Sequence, residues 1–315
     1  MSSPDLFYLA PLQGFTDFVY RRCYQQLFGD IDEYYIPYLA AGSGGKIRNS
    51  QFREILPENN GQIPVVPQIL CANKDEAKQL AGELRNFGYR KINLNLGCPY
   101  PMATNRGRGT GLMENPEKLK EVLDILFGEF DFEVSVKFRA GLTCEHTIFD
   151  RLEMLESYPF EKMIFHPRTA NQLYKGTANR ELFARLASMS RHRLVYNGDI
   201  QSPSDLDEIK SLVPSQKEWM IGRGILADPF LVSKLKGQLP NQATQRDMKW
   251  QFHEMVLESY RQAFPDQGQV LTKMKAFWSY FSESFPNPHK AFKPIKKAKN
   301  PAVFLQVYPS VFKND

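Results

Sequence analysis

Several side chains able to do chemistry stand where apolar runs of the sequence end, and the first is a cysteine. Cys98 follows the run KINLNL in a Gly-Cys-Pro turn, which predicts an exposed position outside the core. A thiol with an ordinary pKa of about 8.5 can donate a proton near neutral pH. A buried structural cysteine is the alternative and the usual one for this residue type. The other cysteines have no comparable context, and we expect them to be structural: Cys23, Cys71 and Cys144.

A lysine stands at the end of another apolar run. In VSVKFRAG, Lys137 is expected to point into the mouth of the fold that holds it. If it is desolvated, such a lysine could form a Schiff base with a carbonyl substrate. It could also face a developing anion, such as the N1–C2=O edge of a reduced flavin. An ion pair at the rim of the fold is the third possibility.

Three further segments predict the binding of an anion. His166 and Arg168, two residues apart in FHPRT, indicate an anion or carbonyl site. NGDI (197–200) and IGRG (221–224) follow consecutive apolar runs, and their glycines allow a close backbone approach. Arg223 in the second segment can pair with phosphate. Together the two segments predict a phosphorylated cofactor.

All of these residues stand at the ends of candidate strands. The candidate strands are residues 6–10, 33–39, 65–70, 91–96, 133–138, 162–166, 193–197 and 218–222. Helical patterns lie between most of them, with Asn73 and Asn115 as N-cap candidates. Eight alternations predict an α/β fold, a (β/α)8 TIM barrel with its site at the strand ends. A doubly wound sheet is the alternative, but no GxGxxG follows the first strand.

The last part of the chain has a different character. From residue 246 onward, the pattern is that of amphipathic helices, and no strand alternation remains. We therefore predict a barrel domain over residues 1–240 and a small all-α domain over residues 241–315. The net charge of +5 lies in the second segment, which has eleven Lys/Arg and six Asp/Glu. This distribution predicts a polyanionic partner, with a solvated helical surface as the alternative.

Composition excludes several classes of protein. Hydrophobic residues make up 42% and charged residues 24%, a balance typical of globular proteins. We find no secretory signal, no run approaching the ~20 apolar residues of a membrane helix, and no zinc-binding spacing. We therefore expect a protein of the reducing cytoplasm, without metal or membrane.

Residues 39–51 contain Gly-Gly-Lys without P-loop spacing and are predicted to form a surface loop near the site.

Taken together, the segments resemble the tRNA-dihydrouridine synthase family. The matching pieces are APLQGFTD (10–17), VPQIL (66–70), NLNLGCP (93–99), VKFRAG (136–141), FHPRT (165–169), YNGDI (196–200) and IGRG (221–224). The resemblance implies an FMN-binding TIM barrel followed by a helical tRNA-binding domain. It also implies that a monomer reduces one uridine of tRNA to 5,6-dihydrouridine, with NADPH as the reductant.

The resemblance further implies a role for each motif residue. The reduced flavin N5 would give hydride to uracil C6, and Cys98 would protonate C5. FMN would be held by Pro11, Leu12, Gln13, Gln68, Lys137, His166, Asn197, Gly198, Asp199, Gly222 and Arg223. Asn95 and Arg168 would contact the uracil or its nucleotide. The candidates for contact with tRNA phosphates are Lys273, Lys275, Lys290, Lys293, Lys296, Lys297 and Lys299.

One segment departs from the family pattern. Many members carry a lysine soon after the Gly-Cys-Pro turn, and this chain has Tyr100, Pro101 and Met102 there. The segment NRGRGTGLM (105–113) that follows keeps its Gly-rich character. We expect Arg106 or Arg108 to supply the missing cation.

Three other functions fit parts of the sequence. An FMN barrel that acts on a free pyrimidine, as in the dihydroorotate dehydrogenases, shares the fold and a catalytic Cys or Ser but lacks a basic helical tail. A tRNA-binding module that has lost catalysis would tolerate the loss of Cys98, Lys137 and His166, which are all present. An aldolase that uses Lys137 as a Schiff base predicts a colourless protein.

Overall fold

A computed structural model describes residues 4–42 and 47–313 of the chain. Across these residues, eight parallel strands close a barrel in chain order, with the last strand paired to the first. The strands are β1 Leu6–Leu9, β2 Glu33–Leu39, β3 Val65–Ile69, β4 Lys91–Leu96, β5 Glu133–Arg139, β6 Met163–His166, β7 Leu194–Asn197 and β8 Glu218–Ile221. The predicted TIM barrel is confirmed, and the doubly wound sheet is excluded. The observed ends of each strand lie within one residue of the predicted ends.

Helices connect the strands and cover the outside of the barrel. They are α1 Phe18–Leu27, α2 Asn49–Ile55, α3 Pro57–Asn60, α4 Lys74–Asn86, α5 Pro101–Thr104, α6 Thr110–Met113, α7 Pro116–Gly128, α8 Thr147–Glu156, α9 Arg180–Met189, α10 Pro203–Leu212, α11 Arg223–Ala227 and α12 Leu231–Leu235. The predicted N-caps are confirmed, because Asn73 and Asn115 accept hydrogen bonds from backbone N–H groups three residues on. In the predicted loop 39–51, residues 43–46 lie outside the described residues, and the last three belong to α2.

The N-terminal end of the barrel is filled by side chains. A cluster at its centre consists of Tyr8, Ala10, Tyr35, Val66, Ile164, Val195 and Met220. Beside this cluster, the buried Lys162 donates to Glu33 at 2.6 Å, and its Nζ lies 4.5 Å from the centroid of the Tyr8 ring. Because this packing occupies the lower part of the barrel, a ligand has space only at the opposite end, where the strands finish.

The part of the chain after the barrel is helical, as predicted. In residues 242–313 the structure has α13 Gln242–Ala263, α14 Gln267–Phe281, α15 Pro288–Lys297 and α16 Pro301–Phe312, with a 3₁₀ turn at Ser282–Ser284. Tail is used below for residues 241–313. The assignment of this segment as a domain of its own, beginning at residue 241, stays a prediction.

The tail packs tightly against the first helix of the barrel. Phe252 of α13 meets Tyr20 of α1 edge to face, with ring centroids 5.6 Å apart. Asp17, the N-cap of α1, accepts hydrogen bonds from the Tyr260 hydroxyl at 3.0 Å and from Lys273 Nζ at 2.8 Å. The barrel and the tail consequently share one apolar core.

Candidate active site

A cavity of about 950 Å³ opens at the C-terminal ends of the barrel strands. This volume is near the upper end of the range for small-molecule sites, about 300–1,000 Å³. The barrel brings thirteen of the residues predicted for the site to the cavity wall: Pro11, Leu12, Gln13, Gln68, Asn95, Cys98, Lys137, His166, Asn197, Gly198, Asp199, Gly222 and Arg223. They come together because parallel strands in a closed barrel all finish at the same end.

Cys98 lies in the turn after β4, as predicted, but the expectation that it is exposed is wrong. Its exposed fraction is 6%, and it packs with Leu70 and Ala103. The Gly-rich segment 105–113 covers the turn so closely that a Cβ on Gly109, whose φ is 58°, would lie 2.6 Å from the Cys98 Cβ. Burial raises the pKa of the Cys98 thiol, so the thiol keeps its proton at neutral pH.

A chain of buried amide side chains fixes the Cys98 turn. Asn95 accepts a hydrogen bond from the backbone N–H of Cys98 at 2.8 Å and donates to Gln68 Oε1 at 2.7 Å. Gln68 donates to Asn93 Oδ1 at 2.7 Å, and Asn93 donates to Ser135 Oγ at 2.9 Å. Asn93 was not among the residues predicted for the site, although two asparagines two residues apart in a strand must share one of its faces.

Two cations of β5 face the cavity, and one has no partner. Lys137 makes no hydrogen bond or ion pair with any residue that the structure describes, and burial, followed by the charge of Arg139, lowers its pKa to about 7. Arg139 donates from Nη1 to the backbone oxygens of Thr169 at 2.9 Å and Leu173 at 2.8 Å. Arg139 was not among the residues predicted for the site. It follows Lys137 by two residues in the same strand, so both side chains must lie on the same face. A half-buried cation that pairs with no described residue suits a ligand with an acceptor or anionic edge.

His166, the last residue of β6, is held in its neutral form. Burial and then the positive charges of Arg139, Lys137, Arg168 and Arg223 hold the pKa of His166 well below its usual value. Its Nε2 atom lies 3.2 Å from Arg168 Nη1. Because a guanidinium can only donate, Nε2 must accept, and the single ring proton is on Nδ1.

Asp199, which follows β7, binds two arginines. Its carboxylate accepts hydrogen bonds from Arg168 at 2.5 and 3.0 Å, from Arg223 at 3.0 Å and from the Ala178 N–H at 2.8 Å. Burial opposes ionisation, but these hydrogen bonds outweigh it and lower the pKa of Asp199. Arg168 lies behind His166 and Asp199 and lines a neighbouring cavity of about 760 Å³ instead of the main one.

Arg168→Met should lower the free energy of unfolding by about 3 kcal/mol, because it removes two charge-assisted hydrogen bonds to Asp199, each contributing about 1.5–3 kcal/mol, while the hydrogen bond from Arg223 remains. The Arg168 side chain is 1% exposed in this pair. Urea denaturation measures the loss. Lys120→Ala is the matched control, because it breaks an exposed pair with Asp124 and should change stability by less than about 1 kcal/mol. Equal losses in the two variants would contradict the assignment.

Bare backbone lines the cavity after β7 and β8. A Cβ at Gly198 would lie 2.8 Å from the Ala178 Cβ, and one at Gly222 would lie 3.3 Å from the Ala10 Cβ. No side chain therefore fits at either position without displacing a neighbour. Backbone without side chains, next to the guanidinium of Arg223, is suited to a phosphate group.

The charge of the cavity wall is strongly positive. Its charged members are Arg48, Arg106, Arg108, Lys137, Arg139, Asp199 and Arg223. The two arginines expected to supply a cation differ. Arg108 is held by Glu76 in two hydrogen bonds of 2.6 and 3.0 Å, whereas Arg106 is exposed and forms no ion pair with a described residue. Arg106 is thus the one available to a ligand.

The predicted tail lysines occupy different environments. Lys273 is paired with Asp17 at 2.8 Å, so it stabilises the junction of tail and barrel, and Lys275 on the same helix is half-buried. Helix α15 packs Ala291 and Ile295 inward and exposes four lysines, after which comes the exposed Lys299. These four are Lys290, Lys293, Lys296 and Lys297. No acidic residue lies between Glu283 and Asp315, so the exposed face of α15 is uniformly basic.

Two kinds of site are absent from the part of the chain that the structure describes. None of its helices has the length and apolar character needed to cross a bilayer. No three or more of its His, Cys, Asp and Glu side chains are grouped so that they could hold a metal ion.

Known proteins resemble this chain in sequence and in fold. The family model for dihydrouridine synthase (Dus) matches residues 8–307. A tRNA-dihydrouridine(16) synthase of Ralstonia nicotianae is 24% identical over 310 residues, which cover 95% of this chain and 94% of that protein. A Neisseria meningitidis protein of the same name is 24% identical over 308 residues, 93% of this chain and 90% of that protein. Morphinone reductase shares the barrel fold, with a TM-score of 0.53 at 11% identity over 76% of this chain and 88% of that one.

Proposed function

This chain belongs to the dihydrouridine synthase family, and we propose that it reduces a uridine of tRNA to 5,6-dihydrouridine, with FMN as the bound cofactor and NADPH as the reductant. The observation that carries the proposal is the composition of one cationic cavity. It contains a protonated thiol, Cys98, and a half-buried lysine that pairs with no described residue, Lys137.

The cavity residues fit a flavin mononucleotide. Lys137 would face the N1–O2 side of the ring and Gln68 another polar edge, with His166 alongside. The chemistry that FMN would supply at this site, once reduced by NADPH, is the hydride for uracil C6. Pro11, Leu12 and Gln13 would lie against the ring, and the phosphate would be held by Asn197, Gly198, Gly222 and Arg223. Asp199 would contribute through its backbone N–H and by orienting Arg223, because its own carboxylate is ionised.

Cys98 acts as the acid. Addition of hydride at C6 places negative charge on the C5–C4=O enolate of the uracil, and a proton delivered to C5 neutralises it. Because burial raises the pKa of the Cys98 thiol, the proton is present at neutral pH. The hydrogen bond from the Cys98 backbone N–H to Asn95 fixes the turn that carries the thiol.

The uracil must leave its stack in the tRNA to reach a cavity inside the barrel. Asn95 retains one amide N–H beyond its bond to Gln68, and Arg139 lines the same cavity. We assign the contacts with the uracil carbonyl groups to these two side chains. Arg168 lies behind the wall, and its role in this scheme is to position Asp199 and His166.

The basic face of α15 is the proposed contact with tRNA phosphates. Replacing Lys293, Lys296 and Lys297 together with glutamine should weaken tRNA binding by about 10-fold or more at low salt. The slope of log K against log salt should also become shallower by up to about 0.9 per lost phosphate contact. Filter binding or anisotropy over a series of salt concentrations measures both quantities.

A matched control for charge replaces three lysines on the barrel surface with glutamine: Lys74, Lys118 and Lys120. That variant should leave both the affinity and the salt slope unchanged. Substitution is a cleaner test than deletion of residues 241–315, because deletion would expose the core shared by Tyr20 and Phe252. An α15 variant with an undiminished salt slope would rule the helix out as the phosphate contact.

We further propose that uridine 16 of the tRNA is the target. We also propose that the enzyme acts as a monomer in the cytoplasm. The relatives from Ralstonia and Neisseria, matched over nine-tenths of both chains, carry that position in their names. The match includes the tail, which would orient the tRNA over the cavity. A transcript with cytidine at position 16 should yield no product if the assignment holds, and full product would move the target elsewhere.

The cofactor can be tested on the purified protein. It should be yellow, release FMN on denaturation, and be reduced by NADPH without oxygen. Unmodified tRNA should then reoxidise it faster than free uridine does. A colourless protein that FMN cannot restore would refute the proposal, and trapping of a carbonyl substrate by borohydride at Lys137 would favour an aldolase. Faster turnover with dihydroorotate than with tRNA would favour a free-pyrimidine enzyme.

A further inference from the structure

Three tyrosines from separate elements line the mouth of the cavity. Tyr100 precedes α5, Tyr174 lies between β6 and α9, and Tyr280 lies on α14 of the tail. Tyr100 is 52% exposed, and Met102 beside it is 84% exposed. Burial raises the pKa of Tyr100 and of Tyr280.

Tyr174 packs against two arginines, and the residue before it has a strained backbone conformation. Its ring centroid lies 4.1 Å from the guanidinium carbon of Arg223 and 5.5 Å from that of Arg139. The preceding Leu173 has a φ of 51°, in the left-handed region that a branched side chain rarely adopts. The hydrogen bond from Arg139 to the Leu173 carbonyl holds this conformation. Such strain persists where the surroundings enforce it, commonly at ligand sites.

Tyr280 is also held in place. The ring of Phe15, in the loop after β1, meets it edge to face with centroids 5.0 Å apart and an interplanar angle of 87°. Tyr280 is half-buried, so one part of its ring packs on the barrel and another part borders the cavity. The tail therefore contributes directly to the cavity mouth.

We propose that Tyr100, Tyr174 and Tyr280 form an aromatic rim on which the unpaired bases flanking the target uridine stack. The inference rests on the proposed function and adds that the enzyme binds a short unstacked RNA segment. Flipping one base out leaves its neighbours unstacked, and aromatic side chains recover about 1–3 kcal/mol per stacked base.

The surrounding charges favour RNA over other occupants of this surface. Arg48 and Arg106 border the same cavity and are exposed. The one carboxylate on the described part of the cavity wall, Asp199, is already bound by two arginines. Aromatic rings beside arginines that form no ion pair with a described residue are the combination used by proteins that bind single-stranded nucleic acid.

A fluorescent pentanucleotide tests the rim. The probe is a single-stranded RNA pentamer with uridine at its centre and 2-aminopurine on both sides, whose fluorescence falls when it stacks on an aromatic ring. The wild-type holoenzyme should bind it with quenching. Tyr100→Ala and Tyr174→Ala should each bind about 10-fold more weakly and restore fluorescence, since one stacked base is lost. Tyr100→Phe should behave as the wild type, because the ring remains.

Controls separate stacking from other causes. Met189→Ala removes an exposed apolar side chain at the end of α9, which does not line the cavity, and should not change binding. Flavin content per protein should be equal in all variants, which shows that the cavity is intact. Unchanged quenching in both alanine variants would overturn the rim, and so would a loss of binding in Tyr100→Phe equal to that in Tyr100→Ala.

The rim and the proposed function fail in different ways. A wild-type enzyme that quenches the pentamer but never forms dihydrouridine would refute the proposed function and support the rim. A wild-type enzyme that forms dihydrouridine in tRNA without quenching the pentamer would refute the rim and support the proposed function.

Discussion

Replacing Cys98 with alanine should reduce the rate of dihydrouridine formation by about 10²- to 10⁴-fold, the usual contribution of a positioned general acid. The amide chain from Ser135 to Asn95 would still hold the turn, because its contact is with the Cys98 backbone. Flavin content and the reduction of the flavin by NADPH should therefore stay unchanged. Rapid mixing that follows flavin absorbance, with nucleoside analysis of the tRNA, measures the two half-reactions separately.

Cys144→Ala is the control for this prediction, because Cys144 is exposed and does not line the cavity. It should retain full activity. The pH profile supplies a second check. Since the thiol must be protonated and burial raises the pKa of Cys98, the rate should fall only at a pH above the ordinary thiol value of about 8.5. Product formation at the wild-type rate in Cys98→Ala would remove Cys98 from the mechanism.

Lys137→Met should weaken flavin binding by about 10-fold or more, because a charge-assisted hydrogen bond in a buried site contributes about 1.5–3 kcal/mol. Lys137 has no partner among the described residues, so the ligand would supply its acceptor. Burial lowers the pKa of Lys137 to about 7 in the free protein. Flavin affinity should consequently fall as the pH rises above about 7, and the methionine variant should lose this dependence. Titration followed by flavin fluorescence measures both effects.

The same lysine sets a pH dependence of stability. The unfolded chain keeps Lys137 protonated up to its ordinary pKa of about 10.4, whereas the folded, ligand-free protein releases the proton near pH 7. Between these values the unfolded state binds more protons, so the stability of the ligand-free protein should rise with pH. Lys118→Met, which alters an exposed lysine on α7, should leave the rise intact. A rise that persists in Lys137→Met would contradict the assignment.

The positions of the strands and of most cavity residues could be predicted from sequence because both depend on local patterns. Each strand of the barrel is an apolar run a few residues long, and each finishes at the same edge whatever its partners are. Lys137 and His166 were therefore found from their places at the ends of β5 and β6. The resemblance then added the roles that spacing alone does not assign.

Other features depend on contacts between distant segments, which no local pattern records. Cys98 is buried because the segment 105–113 packs over it, and Arg108 is engaged because Glu76 lies opposite. Lys273 was predicted to contact tRNA, but α14 packs so that Lys273 pairs with Asp17 instead. Charge counting gave the correct sign for the tail but not which lysines are exposed, since that depends on which face of each helix packs inward.

The most direct test of the central claim is the mass of a tRNA product. Unmodified tRNA transcript incubated with the purified protein, FMN and NADPH should yield, after digestion, one uridine heavier by two hydrogen atoms, at position 16. Omission of NADPH, or use of Cys98→Ala, should leave that nucleoside unchanged. A tRNA whose uridines all keep their mass, treated with protein that carries reducible FMN, would contradict the account.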